Sequence, residues 1–261
     1  MPARGGAPGR ERRLLRLARE NHSLVKALSF AVVTFAIVLL PAVPALAADP
    51  GRIEAYVTPF YDSSGPVINI GKYSTGLSSK TPGEFVATIL RMKNQWNDLN
   101  FVELYVGAIR LYDLGYRNEA TYWFYTAQYR GRLFASLVDQ KRLGSLGDRG
   151  FELYHAQQAF FELVGPNING YAFGDVNSLV AIVRRVRKES KTVPNMQTMY
   201  PGVAFLHRSQ WDGINAGLNS GLGKLAVTLT DQQNEIKQQR EQNGTATRFS
   251  HVTSRRFPGG L

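Results

Sequence analysis

Between Asn118 and Ala135, small and aromatic residues alternate at helical spacing. At about 100° per residue, Ala120, Phe124, Ala127, Gly131 and Ala135 fall within roughly a quarter-turn of one another, so a neighbouring helix can approach closely on that face. Tyr122, Tyr125, Tyr129 and Arg132 project the other way. The pattern reads as one half of a helical hairpin. The other half is expected from about Asn100 to Leu114, with Leu104, Ala108 and Leu111 on one face and Gly115 just past its end. Asn118 then reads as the cap of the second helix.

Ala120, Trp123, Phe124, Ala127, Gly131 and Ala135 resemble the second helix of a SEL-type repeat, A-x-x-W-[FY]-x-x-A-A-x-x-G-x-x-x-A, with Gln128 in place of the second paired alanine. Ala108, Gly115, Ala120, Phe124 and Ala127 also fit the tetratricopeptide (TPR) register, although Arg117 stands where its tyrosine is usual. The resemblance covers about 35 residues, as a single copy. It implies a helical scaffold that binds other proteins; exported proteins with SEL-type repeats include immunity partners of secreted toxins and envelope scaffolds. Gly174 and Leu179 repeat the Gly115 to Ala120 spacing and hint at a second, degenerate unit.

The amino terminus bears on compartment. Residues 27–40 form an apolar run of signal-peptide length, followed by Pro41, Pro44 and the small-x-small pattern Ala45-Leu46-Ala47. Cleavage is expected between Ala47 and Ala48, giving a periplasmic or secreted bacterial protein. The unusually long basic region before the run, from Arg4 to Lys26, fits either initiation at Leu24 or Val25 or an uncleaved inner-membrane anchor. Residues 1–47 hold seven Lys/Arg and two Asp/Glu, so their removal takes the formal charge down by five, from +11 to +6. What remains is a weak footprint for nucleic acid, and no nucleic-acid partner is expected. With no cysteine in the chain, stability in an oxidising compartment rests on packing, and thiolate chemistry is excluded.

Residues 48–80 are rich in β-branched and aromatic residues broken by glycine and proline, and Ala55-Tyr56-Val57 is expected to pair with Val67-Ile68-Asn69-Ile70 as a small hairpin. A helical domain is expected over 81–242. Thr81-Pro82-Gly83-Glu84 reads as its first capping box, and Phe85, Ile89, Met92 and Trp96 as the stripe that follows. Lys141 to Gly150 reads as a loop, Phe151 to Val164 as a helix stopped by Gly165-Pro166-Asn167, and Asp175 as the cap of a further helix. Trp211, Ile214, Leu218, Leu222 and Leu225 keep a helical period through four glycines, which predicts a helix either broken or very closely packed. The tail, 243–261, reads as flexible.

Chemistry is sparse. Glu152 and His155 stand three apart, the spacing of di-iron bundles, yet only His155, His207 and His251 follow residue 47, so no second Glu-x-x-His exists. Ser220 lacks the glycine two residues before it that a nucleophile elbow requires. The glycine-rich stretches 144–150 and 217–223 carry no phosphate-loop lysine. No catalytic residue, metal site or cofactor is therefore expected. Tyr122, Tyr125, Tyr129 and Arg132 are the candidate partner-binding residues, being types enriched in interface hot spots, and the alternative is that the next helix of a solenoid covers this face. Arg184, Arg185, Arg187 and Lys188 form a basic stripe suited to an acidic partner or a membrane surface. The reading is a mostly α exported protein built on a TPR/SEL-type hairpin, binding another protein without catalysis. The alternative is an envelope hydrolase or lipid-binding protein with a pocket between helices.

Overall fold

A helix with aromatic side chains on every side has no face to give to water, and it must be enclosed. This is the position of the helix that carries the 118–135 pattern. The computed structural model describes residues 49–53 and 71–259, which belong to one compact unit. The expected signal peptide and the 55–57/67–70 hairpin lie outside the described residues. Among the described residues the chain is mostly helical, with ten α-helices: α1 Ser74–Ser78, α2 Pro82–Asn94, α3 Phe101–Asp113, α4 Arg117–Leu137, α5 Arg149–Ala172, α6 Val176–Glu189, α7 Met196–Met199, α8 Trp211–Asp231, α9 Gln233–Gln242 and α10 Thr245–Arg248. Extended pairing there is limited to one antiparallel bridge, Val138 with Phe205.

The central element is α4, on which α3, α5, α6 and α8 all pack. Every residue from Glu119 to Gly131 is buried. Contacts between α3 and α4 run antiparallel: Phe101 meets Phe134 with centroids 5.5 Å apart, and Gly107 lies under Trp123. A Cβ at Gly107 would stand 2.5 Å from the Trp123 ring, so the closest approach is made at Gly107, one residue before the expected Ala108. Gly115 ends α3 as expected, at φ +84°. The Gly115 N–H donates to Tyr112 O at 2.9 Å and the Tyr116 N–H to Leu111 O at 2.8 Å, the paired bonds of a Schellman turn.

Several local expectations are corrected. The capping box belongs to α3, where Asn100 Oδ1 accepts from Glu103 N at 3.0 Å and Glu103 Oε2 accepts from Asn100 N at 2.8 Å. At α2, Ser79 intervenes: its hydroxyl donates to Glu84 and accepts the Thr81 N–H, so the Thr81 side chain does not cap. Asn118 lies inside α4, which begins at Arg117, and its Oδ1 accepts from the Tyr171 hydroxyl at 2.7 Å. Asp175 caps α6 as expected.

Two helices run further than their breakers suggest. α5 continues through Pro166 to Ala172. Proline removes one backbone bond at a cost of about 3 kcal/mol. Phe160, Val164, Ile168 and Ala172 nevertheless form a continuous buried i, i+4 stripe across it, and Val164 and Ile168, both fully buried, offset that cost at roughly 1.5–3 kcal/mol each. α8 is unbroken, with Trp211, Asn215, Leu222, Leu225, Ala226 and Leu229 buried. Its glycines are not there for close packing: a Cβ at Gly213, Gly217 or Gly221 meets nothing within 4 Å, and only Gly223 faces a neighbour, Arg187.

The segment expected to be a flexible tail is folded through residue 259, because Phe249, Val252 and Phe257 are buried anchors in a polar sequence. Arg255 N donates to Gly115 O at 2.7 Å, and Phe257 packs edge-on against Tyr116 with centroids 5.1 Å apart. The Gly174 to Leu179 spacing does not rebuild the α3–α4 turn: Gly174 lacks a positive φ, and α6 packs chiefly on α8 and α4.

Candidate functional site

The tyrosines of α4 face neighbouring helices rather than solvent. Tyr122, Tyr125 and Tyr129 are 3%, 5% and 5% exposed. Each keys a different helix. The Tyr122 hydroxyl donates to Glu189 of α6, the Tyr125 hydroxyl to Asn169 Oδ1 of α5 at 3.0 Å, and the Tyr129 hydroxyl to Asn215 Oδ1 of α8 at 2.5 Å. Burial pushes all three phenols well above their ordinary pKa, which suits groups that act as neutral donors. Arg132 is half-buried beside Tyr105 and Tyr125, and burial lowers its pKa. Of the two readings of this stripe, a binding surface or a face covered by neighbouring helices, the structure has the second, an internal seam, because α4 is covered on both faces. The sequence carried the signal: between Asn118 and Ala135 only Glu119, Arg130 and Arg132 are charged.

The spacing-based candidates for chemistry are dispersed. Glu152 and His155 are exposed on α5, where Glu152 accepts the Gly147 N–H at 3.2 Å and His155 stands edge-on to Phe151. Among the described residues no three His, Asp or Glu side chains gather as a metal site.

The basic stripe of α6 divides. Arg185 pairs with Glu189 at 2.8 Å and covers the Tyr122 ring at 4.1 Å, so it is structural. Arg184 and Lys188 are exposed. Arg187 crosses to α8, where the missing side chain of Gly223 makes room for its guanidinium. There it lines an open groove of about 560 Å³ with Lys191, Arg208, Asp212, Asn219 and Ser220. Three cations and one carboxylate line this groove. Arg208 is held over the Trp211 ring at 4.4 Å, a cation–π contact that fixes its position.

The groove is built on the join between α6 and α8. Asn215 and Asn219, one turn apart on α8, cap the end of α6: Asn215 Nδ2 donates to Ser190 O and Lys191 O at 3.2 and 3.1 Å, and Asn219 Nδ2 to Arg187 O at 2.7 Å. Tyr129 locks the Oδ1 of Asn215 from below. These asparagines satisfy carbonyls that a helix end otherwise leaves unpaired. Beside the groove, the outer face of α8 presents Gly213, Ala216, Gly217 and Ser220, all exposed. Small residues there leave the face beside the three cations open to close approach. Lys191, Arg208, Asn215 and Asn219 were not singled out in the sequence, where Arg187 and the i, i+4 asparagines were the traces of the join.

A second, more enclosed groove of about 650 Å³ lies between the start of α6 and the α9–α10 segment, with Arg240 in its wall. Among the described residues no helix is long and apolar enough to cross a membrane. Comparison with family models, with curated proteins and with solved structures returns no match to this chain.

Proposed function

We propose that this chain is an exported, non-catalytic binding module of the bacterial envelope that holds an acidic partner protein in the groove between α6 and α8. The observation that carries the reading is the placement of Arg187, Lys191 and Arg208 around one groove, beside a helix face stripped of large side chains. Electrostatic complementarity of this kind steers association and fixes register. The α3–α4 hairpin is read as a single TPR/SEL-type unit, supported by the burial of Ala120, Trp123, Phe124, Ala127 and Gly131. Export is read from residues 27–47, and a mature amino terminus at Ala48, measured by mass spectrometry, tests it. An immunity partner or an envelope scaffold both fit this module.

Affinity capture from a periplasmic extract tests the surface. Wild type is expected to retain a partner that is lost with Arg187→Glu plus Lys191→Glu, and also with Gly217→Leu, while circular dichroism shows each variant folded. Retention should fall as salt rises. Identical captured proteins from wild type and both variants would remove this function.

A further inference from the structure

Arg240 is 7% exposed, near the end of a helix whose other residues, Ile236 apart, are polar and mostly exposed. Its Nη1 donates to Gly170 O at 2.6 Å. No carboxylate pairs with it: the ion pairs among the described residues join other groups. Burial pulls its pKa down. An arginine keeps its charge under such conditions, and an uncompensated buried guanidinium is costly.

Arg240 lines the 650 Å³ groove. Nη2 lies 3.4 Å from the point where a Cβ on Gly174 would stand, so glycine leaves that approach open. Lys237, one turn earlier on α9, lines the same groove. Across from them, Val176, Leu179, Ile182, Phe249 and Val252 line it among polar residues such as Thr121. Asp175 and Glu241 also line it. Of the Arg240 fork, Nη1 alone is engaged, at Gly170 O, which leaves Nε and Nη2 as donors for a ligand. The Asp175 carboxylate is already engaged by Ser178 N at 3.0 Å and Ser178 Oγ at 2.6 Å, so it is turned to its own helix rather than to Arg240.

We propose that this groove binds an organic carboxylate carrying an apolar group, its carboxylate held by the Arg240 fork and Lys237 and its apolar part against Phe249 and Val252. A guanidinium matches a carboxylate through two parallel N–H bonds. A volume of 650 Å³ falls within the range of small-ligand pockets. The same chemistry is offered by a free amphiphilic acid or by the carboxyl end of a peptide.

Thermal-shift and calorimetric titration of the full chain test the site. The probes are N-acetyl-phenylalanine, N-acetyl-phenylalanine amide, decanoate, inorganic phosphate, and a hexapeptide ending in phenylalanine with a free or an amidated carboxyl. Wild type is expected to bind N-acetyl-phenylalanine and the free-carboxyl hexapeptide at least about tenfold more tightly than their amides, and every carboxylate more tightly than phosphate. Arg240→Gln should weaken the carboxylates by about tenfold or more, and Lys237→Gln by a few-fold. If Arg240→Gln does not fold, the acid-to-amide ratio in wild type and the Lys237→Gln variant decide the matter. A peptide acid that outbinds decanoate identifies a peptide terminus as the source, and the reverse identifies a free amphiphile. Equal affinity for acid and amide, no binding of any carboxylate at millimolar concentration, or unchanged binding by folded Arg240→Gln would overturn the proposal. Arg187→Glu plus Lys191→Glu lies outside this groove and should leave these titrations unchanged, so its result bears on the partner-binding groove alone.

Discussion

The same substitution, glycine to alanine, is expected to act with opposite sign on two helices. In a helix interior the change contributes about 0.8–1.0 kcal/mol of stability through propensity. At Gly217 of α8 the new Cβ meets nothing within 4 Å, so the full gain is expected. At Gly107 of α3 the Cβ would stand 2.5 Å from Trp123 Cε3 and Cζ3, about 1 Å inside an ordinary contact. Trp123 cannot withdraw cheaply. It is fully buried, its Nε1 donates to Glu119 Oε1 at 2.9 Å, and its ring stands edge-on to Trp96 with centroids 5.0 Å apart. Overpacking of this kind costs about 1–3 kcal/mol, at the upper end where the neighbour is restrained. The net for Gly107→Ala is a loss of roughly 1–2 kcal/mol. In a domain of this size each kcal/mol moves Tm by about 2–4 °C, so Gly107→Ala should melt roughly 2–8 °C lower and Gly217→Ala roughly 2–4 °C higher. Thermal and urea unfolding followed by circular dichroism check both. A Gly107→Ala protein as stable as wild type would refute the close α3–α4 approach.

Burial raises the Asp113 carboxyl from 3.8 to about 6, against the opposing pull of the Ile53 N–H, 2.6 Å away, and Arg110. The native state then holds a proton that the unfolded chain releases, so this stability is full below about pH 4 and is lost as pH rises through 6, a change of roughly 3 kcal/mol. Asp113→Asn keeps an acceptor for Ile53 and should flatten that slope in urea melts taken across the range; an unchanged slope would place the titration elsewhere. Glu119→Ala removes the acceptor of Trp123 Nε1 and the partner of Lys93, 2.8 Å away, and should cost about 3–5 kcal/mol in urea melts. Phe249→Ala should cost about 3 kcal/mol or more, and Gly170→Ala should be tolerated better in that background than alone, because its Cβ would stand 2.3 Å from the Phe249 ring. Additive effects of that pair would show that the ring does not lie over Gly170.

The hairpin was legible because its residues obey local rules, the 3.6 period of α4 and the glycine after α3, and the cap of α6 was legible in the same way. The helix ends that failed were decided by distant partners. Pro166 is carried within α5 by Val164 and Ile168 on either side of it, and the 249–257 segment is ordered by three apolar residues too far apart to make a periodic signal. The tyrosine stripe was legible as a face while its environment stayed open, because a period says which residues share a side and not what covers it. The groove between α6 and α8 was half visible: Arg187 stood out in a basic run, while Lys191 and Arg208 come from separate segments that only folding brings together.

The docking of Arg255 and Phe257 onto the turn at Gly115 and Tyr116 sets an order of events. The α3–α4 turn closes over a handful of residues, whereas the latch must bridge some 140 positions and carries the larger search penalty. Refolding should therefore show an early helical phase followed by a slower step in which the carboxyl-terminal arm is zipped onto a hairpin already made. Chains interrupted before residue 249 would stall at the first of these stages.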